Sequence, residues 1–186
     1  MRLLLSLLSL CLLAAGCATG NATESQGDFV AGDGSVRTFA PDEREPAPDV
    51  EGTTLDGEPL ALGDLEGIVV VNFWASWCGP CATETPHLVA IANEYGDRGV
   101  SLLGVNVKDQ PANARSFERE FKVPYPSLYD EAAAIAAAFG GIGPAALPST
   151  IILDAQHRVA VRAFGAVDAA QVSRYLDALL AEGGEG

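Results

Sequence analysis

The stretch that decides the fold spans residues 68–86 and reads IVVVNFWASWCGPCATETP. It opens with four β-branched apolar residues, which is typical of a buried parallel strand. After Cys81 the apolar residues recur on one side of a predicted helix, so Cys78 and Cys81 lie where a strand ends and a helix begins. The free N–H groups of a helix's first turn favour negative charge beside them. We therefore expect Cys78 to ionise readily and act as the nucleophile, with Cys81 as the resolving thiol.

The five residues 77–81, WCGPC, resemble the active site of the thioredoxin superfamily, and the aromatic pair before them and Pro86 after them fit the same pattern. An isolated Cys-x-x-Cys pair can also be half of a zinc site. Zinc needs about four ligands, and the sequence holds no second pair of this kind. The sequence therefore predicts thiol–disulfide chemistry with no metal and no cofactor.

Composition narrows the classes of partner. The chain has 186 residues, of which 48% are hydrophobic and 19% charged, an ordinary balance for one globular domain with a tail. Its formal net charge is −14 and no run of Lys or Arg occurs. Nucleic-acid binding needs basic patches that neutralise phosphates, so nucleic acid is not an expected partner.

The first 17 residues predict a targeting segment. Arg2 is followed by an apolar run that is too short for a stable membrane span and fits a signal peptide. The ending Ala14-Ala15-Gly16-Cys17 resembles a bacterial lipobox, which implies that Cys17 is acylated and becomes the mature N-terminus. The alternative is an ordinary cleaved signal in which Cys17 has no role. With Cys11 removed in the signal and Cys17 carrying lipid, only Cys78 and Cys81 remain as thiols, and no structural disulfide is expected.

The rest of the chain divides into two parts. Residues 18–45 are rich in Gly, Ser, Thr, Asn, Asp and Glu, which predicts a flexible tether, with a possible short strand near residues 36–39. Residues 46–183 are expected to form one domain. Its predicted elements are a hairpin (50–62), strands (68–74, 100–107, 125–128, 149–153, 158–164) and helices (80–95, 111–121, 131–139, 168–181).

This order resembles the thioredoxin fold with additions. The phrase APDVEGTTLDGEPLALGDLEGIVVVNFWASWCGPC is similar to the opening of the TlpA/ResA branch, the membrane-tethered disulfide reductases that include cytochrome c maturation proteins. The resemblance covers residues 46–180. It implies an α/β thioredoxin fold, with a central mixed β-sheet flanked by helices, an N-terminal β-hairpin and a central helix–strand insertion.

Glu84 is the candidate proton carrier. It lies three residues after Cys81, so the two share a helix face one turn apart. It matches a glutamate that lies near the cysteine pair in the TlpA/ResA branch. Thioredoxins carry a buried aspartate on the central strand, whereas this chain has Asn72, which cannot exchange a proton. The alternative is that Glu84 is a solvated side chain on the helix surface.

Four further residues are candidates for client binding. Trp77 and Pro80 are expected to flank the sulfur of Cys78. Pro148 matches the superfamily's cis-proline, and Leu147 before it would then offer backbone groups to an extended client segment by strand addition. The alternative for Pro148 is an ordinary trans proline in a turn.

Together these features predict an extracytoplasmic thiol–disulfide oxidoreductase, lipid-anchored to the outer face of the cell membrane. The resemblance implies a disulfide reductase that acts on apocytochrome c or other exported proteins, with electrons from a membrane thiol–disulfide donor. The spacing of the two cysteines does not fix the direction of thiol–disulfide exchange, so an oxidant of exported proteins is the first alternative. A peroxiredoxin-like peroxidase would need a Thr-x-x-Cys setting, and a Sco-like copper-delivery protein would need Cys-x-x-x-Cys; neither pattern is present.

Overall fold

The computed structural model describes residues 30–31, 34–140 and 146–183, with only the backbone at Val30, Ala31 and Ala146. The predicted signal peptide, with Cys17, and the first part of the predicted tether lie outside the described residues. Within the described part of the chain, no helix is both long and apolar enough to cross a membrane.

The described residues form ten strands and four α-helices. The strands are β1 (Val30–Ala31), β2 (Val36–Thr38), β3 (Glu51–Thr53), β4 (Pro59–Ala61), β5 (Ile68–Trp74), β6 (Val100–Val107), β7 (Ser127–Asp130), β8 (Ala146–Leu147), β9 (Ser149–Leu153) and β10 (Val159–Phe164). The helices are α1 (Gly79–Tyr95), α2 (Pro111–Phe121), α3 (Ala134–Ala138) and α4 (Ala169–Gly183).

Six strands form the main sheet in the order β2-β10-β9-β5-β6-β7. β5, β6 and β7 run parallel to one another, whereas β9 is antiparallel to β5 and β10 is antiparallel to β9. The predicted central mixed sheet is therefore confirmed. β5 lies inside the sheet and all its residues are buried, as its unbroken apolar run predicted.

Helices cover both faces of this sheet. Side chains of β5 alternate between the faces: Val71 and Phe73 pack with residues of α2 and α3, and Ile68 and Val70 pack with residues of α1 and α4. Both cysteines belong to the first of these two cores. The site therefore rests on a packed core at the carboxyl end of β5.

The two predicted additions are present. β3 and β4 pair antiparallel, and Gly57 in the connection has a φ of +94°, which suits the predicted Asp56-Gly57 turn. The hairpin packs against β7, since the N–H of Leu55 donates to the carbonyl of Ser127 at 2.9 Å. The helix–strand insertion is α2 followed by β7.

The predicted tether is too long, because residues 34–45 belong to the folded domain. β2 pairs antiparallel with β10 at the sheet's edge. Further on, Arg44 forms ion pairs with Asp154 at 3.2 Å and with Glu182 at 2.7 Å. These contacts join the segment to the turn before β10 and to α4, so the domain starts before residue 46.

Candidate active site

The cysteine pair stands at the start of α1. Cys78 is the N-cap residue with extended backbone, and Cys81 lies in the helix's first turn. The Sγ of Cys78 accepts a hydrogen bond from the N–H of Cys81 at 3.3 Å. The two residues form a disulfide. The predicted strand–helix junction therefore places both sulfurs where unpaired N–H groups stabilise a thiolate.

The two cysteines differ in access to solvent. Cys78 keeps 4% of its surface exposed, whereas Cys81 keeps none. Pro80 is exposed beside Cys78 in the helix's first turn. An incoming sulfur can therefore reach Cys78 and not Cys81.

Trp77 is the large hydrophobic residue that remains exposed, at 49%, among the residues that the structure describes. Its indole Nε1 donates to the carbonyl of Lys108 at 3.0 Å. That contact fixes the ring beside the cysteines while leaving apolar surface open to solvent. The expectation that Trp77 flanks the site agrees with this placement.

Sequence reasoning missed Asp109, which holds the loop before the cysteines. Its carboxylate accepts from the N–H of Ser76 at 2.6 Å, the hydroxyl of Ser76 at 2.8 Å, Asn106 at 3.0 Å and the N–H of Gln110 at 2.7 Å. Asp109 is buried just after β6. Because β5 and β6 are parallel, their carboxyl ends share one edge of the sheet, and this position was the available signal.

The segment Leu147–Pro148, here called the proline loop, lies at the same edge of the sheet. Phe73, near the end of β5, pairs with Ser149 at the start of β9. The bond between Leu147 and Pro148 just before it is cis, as the resemblance implied. Leu147 is buried in the core that contains both cysteines. The fold therefore brings Trp77, Pro80, Leu147 and Pro148 to one end of the sheet.

Glu84 is buried, with 1% of its surface exposed, so the alternative of a solvated surface side chain is wrong. Its Oε1 accepts from the Nδ2 of Asn72 at 2.8 Å, and its Oε2 accepts from the N–H of Val167 at 3.0 Å. Asn72 also donates to the hydroxyl of Thr150 at 3.2 Å. Glu84 thus ties α1 to two sheet strands and to the segment before α4.

This burial changes the acidity of Glu84. Loss of solvation raises the pKa of its carboxyl group to about 7, although the hydrogen bonds from Val167 and Asn72 act in the opposite direction. Asn72 does not itself titrate but orients a carboxyl group that does. Thioredoxins carry a buried acid on the central strand, where this chain has Asn72. In this chain the buried acid, Glu84, lies on α1 instead.

No group of three or more His, Cys, Asp and Glu residues within the described ranges is arranged to hold a metal ion. The candidate site consists of a disulfide-bonded cysteine pair, one buried carboxyl group and an exposed aromatic ring.

Comparison with known proteins identifies the family. The model of the AhpC/TSA family matches residues 44–162, which include both cysteines, Glu84 and Pro148. The chain belongs to the AhpC/TSA family. Within this family it is 31% identical over 134 residues to the thiol-disulfide oxidoreductase ResA of Geobacillus thermodenitrificans, covering 72% of this chain and 75% of that protein. It is 34% identical over 125 residues to the thiol:disulfide interchange protein HelX of Rhodobacter capsulatus, covering 66% and 68%.

Solved structures confirm the thioredoxin fold. A DsbF homologue from Corynebacterium diphtheriae superposes with a TM-score of 0.75 and 32% identity, over 82% of this chain and 100% of that one. A secreted thiol-disulfide isomerase from Corynebacterium glutamicum gives a TM-score of 0.73 and 33% identity, over 83% and 95%. This AhpC/TSA family member is a thiol–disulfide oxidoreductase, and the peroxidase and copper-delivery alternatives are not favoured.

Proposed function

We propose that the protein is a membrane-anchored, extracytoplasmic disulfide reductase that works through the Cys78–Cys81 pair. The observation that carries the proposal is the asymmetry of the pair: Cys78 caps a helix and retains some exposure, whereas Cys81 is sealed behind it. An attacking sulfur that solvent can reach, with a fully buried resolving sulfur behind it, is the arrangement that dithiol–disulfide exchange requires.

The reaction takes two exchange steps. In the reduced protein the thiolate of Cys78 attacks one sulfur of a client disulfide, whose S–S bond breaks, and the released client sulfur takes up a proton. Cys81 then loses its proton and attacks the Sγ of Cys78. The mixed disulfide breaks, the second client sulfur leaves and takes up a proton from solvent to complete the client dithiol, and the protein holds the Cys78–Cys81 disulfide.

Glu84 is proposed to take the proton that Cys81 loses. It follows Cys81 by one helical turn and is buried. A carboxyl group whose pKa is about 7 can accept and return a proton near neutral pH. Trp77 and Pro80 would contact the client beside the attacked disulfide, and the backbone at Leu147–Pro148 would align it.

The location and partners of the reductase are inferred from the sequence and from the family. The apolar segment of residues 1–17 supports export, and the lipobox-like ending supports acylation of Cys17. The relatives named as thiol–disulfide oxidoreductase and interchange proteins support client proteins that carry cysteines. Exported clients, with apocytochrome c as the specific candidate, are proposed from the resemblance of residues 46–180 to the TlpA/ResA branch. A membrane thiol–disulfide donor would return two electrons to the pair after each cycle.

The reduction potential of the Cys78–Cys81 couple tests the direction of the reaction. A reductase should equilibrate near the potential of thioredoxin, about −270 mV, and reduce insulin disulfides. A value near that of the oxidant DsbA, about −120 mV, would make the protein an oxidant of exported proteins instead. The potential is measured by equilibration with glutathione or dithiothreitol buffers.

Replacement of Cys17 tests the anchor. Cys17→Ala should block incorporation of labelled fatty acid and leave an unprocessed or released protein, while Cys11→Ala serves as the control within the same segment. Processing and membrane retention of Cys17→Ala identical to the parent protein would show that Cys17 has no part in attachment.

A further inference from the structure

The proline loop carries a strand of this same chain. β1 pairs parallel with β8, with Val30 opposite Ala146 and Ala31 opposite Leu147. β8 directly precedes Pro148, so the paired backbone is the segment that the proposed function assigns to an extended client. Among the described residues, β1 is the strand that pairs with β8.

Neighbouring backbone contacts explain how β1 reaches this position. The N–H of Gly34 donates to the carbonyl of Phe164 at 2.7 Å, and the N–H of Phe164 donates to the carbonyl of Ser35 at 2.9 Å. The N–H of Gly165, in turn, donates to the carbonyl of Pro148 at 2.8 Å. The end of β10 thus lies against the proline loop. The segment at Gly34 and Ser35, which pairs with the end of β10, therefore lies close to the same loop.

Gly34 marks the point where the chain turns away from β10. Its φ of +76° lies in the left-handed region that favours glycine. Upstream of this turn, the next described residues are Ala31 and Val30 on β8.

We propose that Val30–Ala31 is a resident strand that competes with extended client segments for the backbone of β8. Strand addition satisfies one row of N–H and C=O groups, and each edge of a strand accepts one partner at a time. A client that pairs with β8 must displace the resident strand, whereas a small disulfide that contacts only Cys78 need not. The resident strand thus sets specificity against weakly pairing clients. This inference rests on the proposed function.

The test compares two substrates in single-turnover reactions of the pre-reduced, full-length mature protein. The variant Val30→Pro/Ala31→Pro removes both N–H donors of the resident strand. Its second-order rate constant with insulin, a peptide disulfide, should rise about fivefold, the effect of about one backbone hydrogen bond. Its rate constant with 5,5′-dithiobis(2-nitrobenzoate), a small disulfide, should stay unchanged. Ala22→Pro, the same kind of substitution upstream of β1, should leave both rate constants unchanged.

Three results would overturn the inference. An unchanged insulin rate in the double variant would mean that the client does not use the edge that β1 occupies. An equal rise with both substrates would mean that β1 shields the sulfurs in general, and a fall with insulin would mean that β1 helps to bind the client. If the parent protein reduces neither substrate, the proposed function itself fails and the inference fails with it. A small-disulfide rate equal to the parent's also verifies that the double variant is folded.

Discussion

At the scale of single residues, Glu84 shows what a sequence motif leaves out. Its spacing from Cys81 predicted a shared helix face, but the surrounding contacts come from distant parts of the chain. Asn72 lies on β5 and Val167 precedes α4, and neither is close to Glu84 in sequence. Replacement of Glu84 should therefore cost more than an ordinary surface change, which is usually below about 0.5 kcal/mol, because the buried partners would lose their acceptor.

Glu84→Gln should alter the pH dependence of stability in the oxidised protein. Below the ordinary pKa of 4.5 the carboxyl group is protonated in the native and unfolded states alike. Between pH 4.5 and the native pKa of about 7, the carboxyl group loses its proton in the unfolded state and keeps it in the native state. Rising pH therefore favours unfolding over this range. Over this pH range the free energy of unfolding of the parent should fall by about 3 kcal/mol relative to that of the variant, and the full difference should be present above about pH 7.

Urea unfolding at several pH values measures this difference. Gln can be accommodated if the amide of Asn72 turns over and accepts a hydrogen bond from it. Glu94→Gln, an exposed change on the same helix, is the control and should follow the parent at every pH. A stability difference between the parent and Glu84→Gln that stays constant with pH would rule out a raised pKa. The same variant should shift the pH dependence of thiolate absorbance in the reduced protein, as expected of a proton carrier.

At the scale of elements, predominantly apolar runs were the reliable signal. The bounds of β5, β6 and β9 agree with those predicted, because buried strands next to one another are rich in β-branched and aliphatic residues. The alanine-rich helix was predicted too long. Ala133 adopts a left-handed φ of +57°, and the carboxylate of Asp130 binds the N–H groups of Ala134 and Ala136, so α3 begins later. Alanine alone carries no signal for where a helix starts.

The loop between β5 and α1 yields a prediction at this scale. Asp109→Ala should destabilise the protein by about 2–3 kcal/mol, because it removes the acceptor of several buried or half-buried donors around Ser76. It should also slow the reaction of Cys78 with disulfides, since the loop that carries Trp77 loses its main attachment. Denaturant unfolding and exchange rates are the measurements.

Asp97→Ala, an exposed change after α1, is the control for Asp109 and should be nearly neutral. Asp109→Asn should fall between the parent and Asp109→Ala, because the amide keeps one acceptor oxygen. Stability and exchange rates of Asp109→Ala equal to those of the control would show that the loop is held by other contacts.

At the scale of the whole molecule, the amino-acid composition placed the start of the folded domain too late in the chain. Residues 34–45 hold few apolar side chains, which is why they were expected to be flexible. Their order comes from pairing with β10 and from Arg44, whose guanidinium group is buried between the turn at Asp154 and the end of α4. Such long-range contacts join both ends of the domain and have no local sequence signature. The placement of the Cys78–Cys81 pair, by contrast, was predictable, because its motif lies within one strand–helix junction.

Arg44→Met should destabilise the protein by about 1–3 kcal/mol, since it leaves the buried carboxylate of Asp154 without one of its donors and removes the pair with the exposed Glu182. The loss is limited because Arg158 still pairs with Asp154 at 2.8 Å. The control is Arg98→Met, which breaks an exposed pair with Asp177 and should cost less than about 1 kcal/mol. Urea unfolding measures the free energy of unfolding of the two variants. An equal loss in both would contradict the account that Arg44 stabilises the domain through buried contacts.

The central claim is that Cys78 attacks and Cys81 resolves, and trapping of the mixed disulfide tests it most directly. Reduced Cys81→Ser and Cys78→Ser variants are each mixed with a peptide disulfide, and the adducts are mapped by mass spectrometry. The account predicts a stable adduct on Cys78 in the Cys81→Ser variant and none in the Cys78→Ser variant, because Cys81 is inaccessible to an incoming disulfide. Adduct formation on Cys81 in the Cys78→Ser variant, with none in Cys81→Ser, would contradict it.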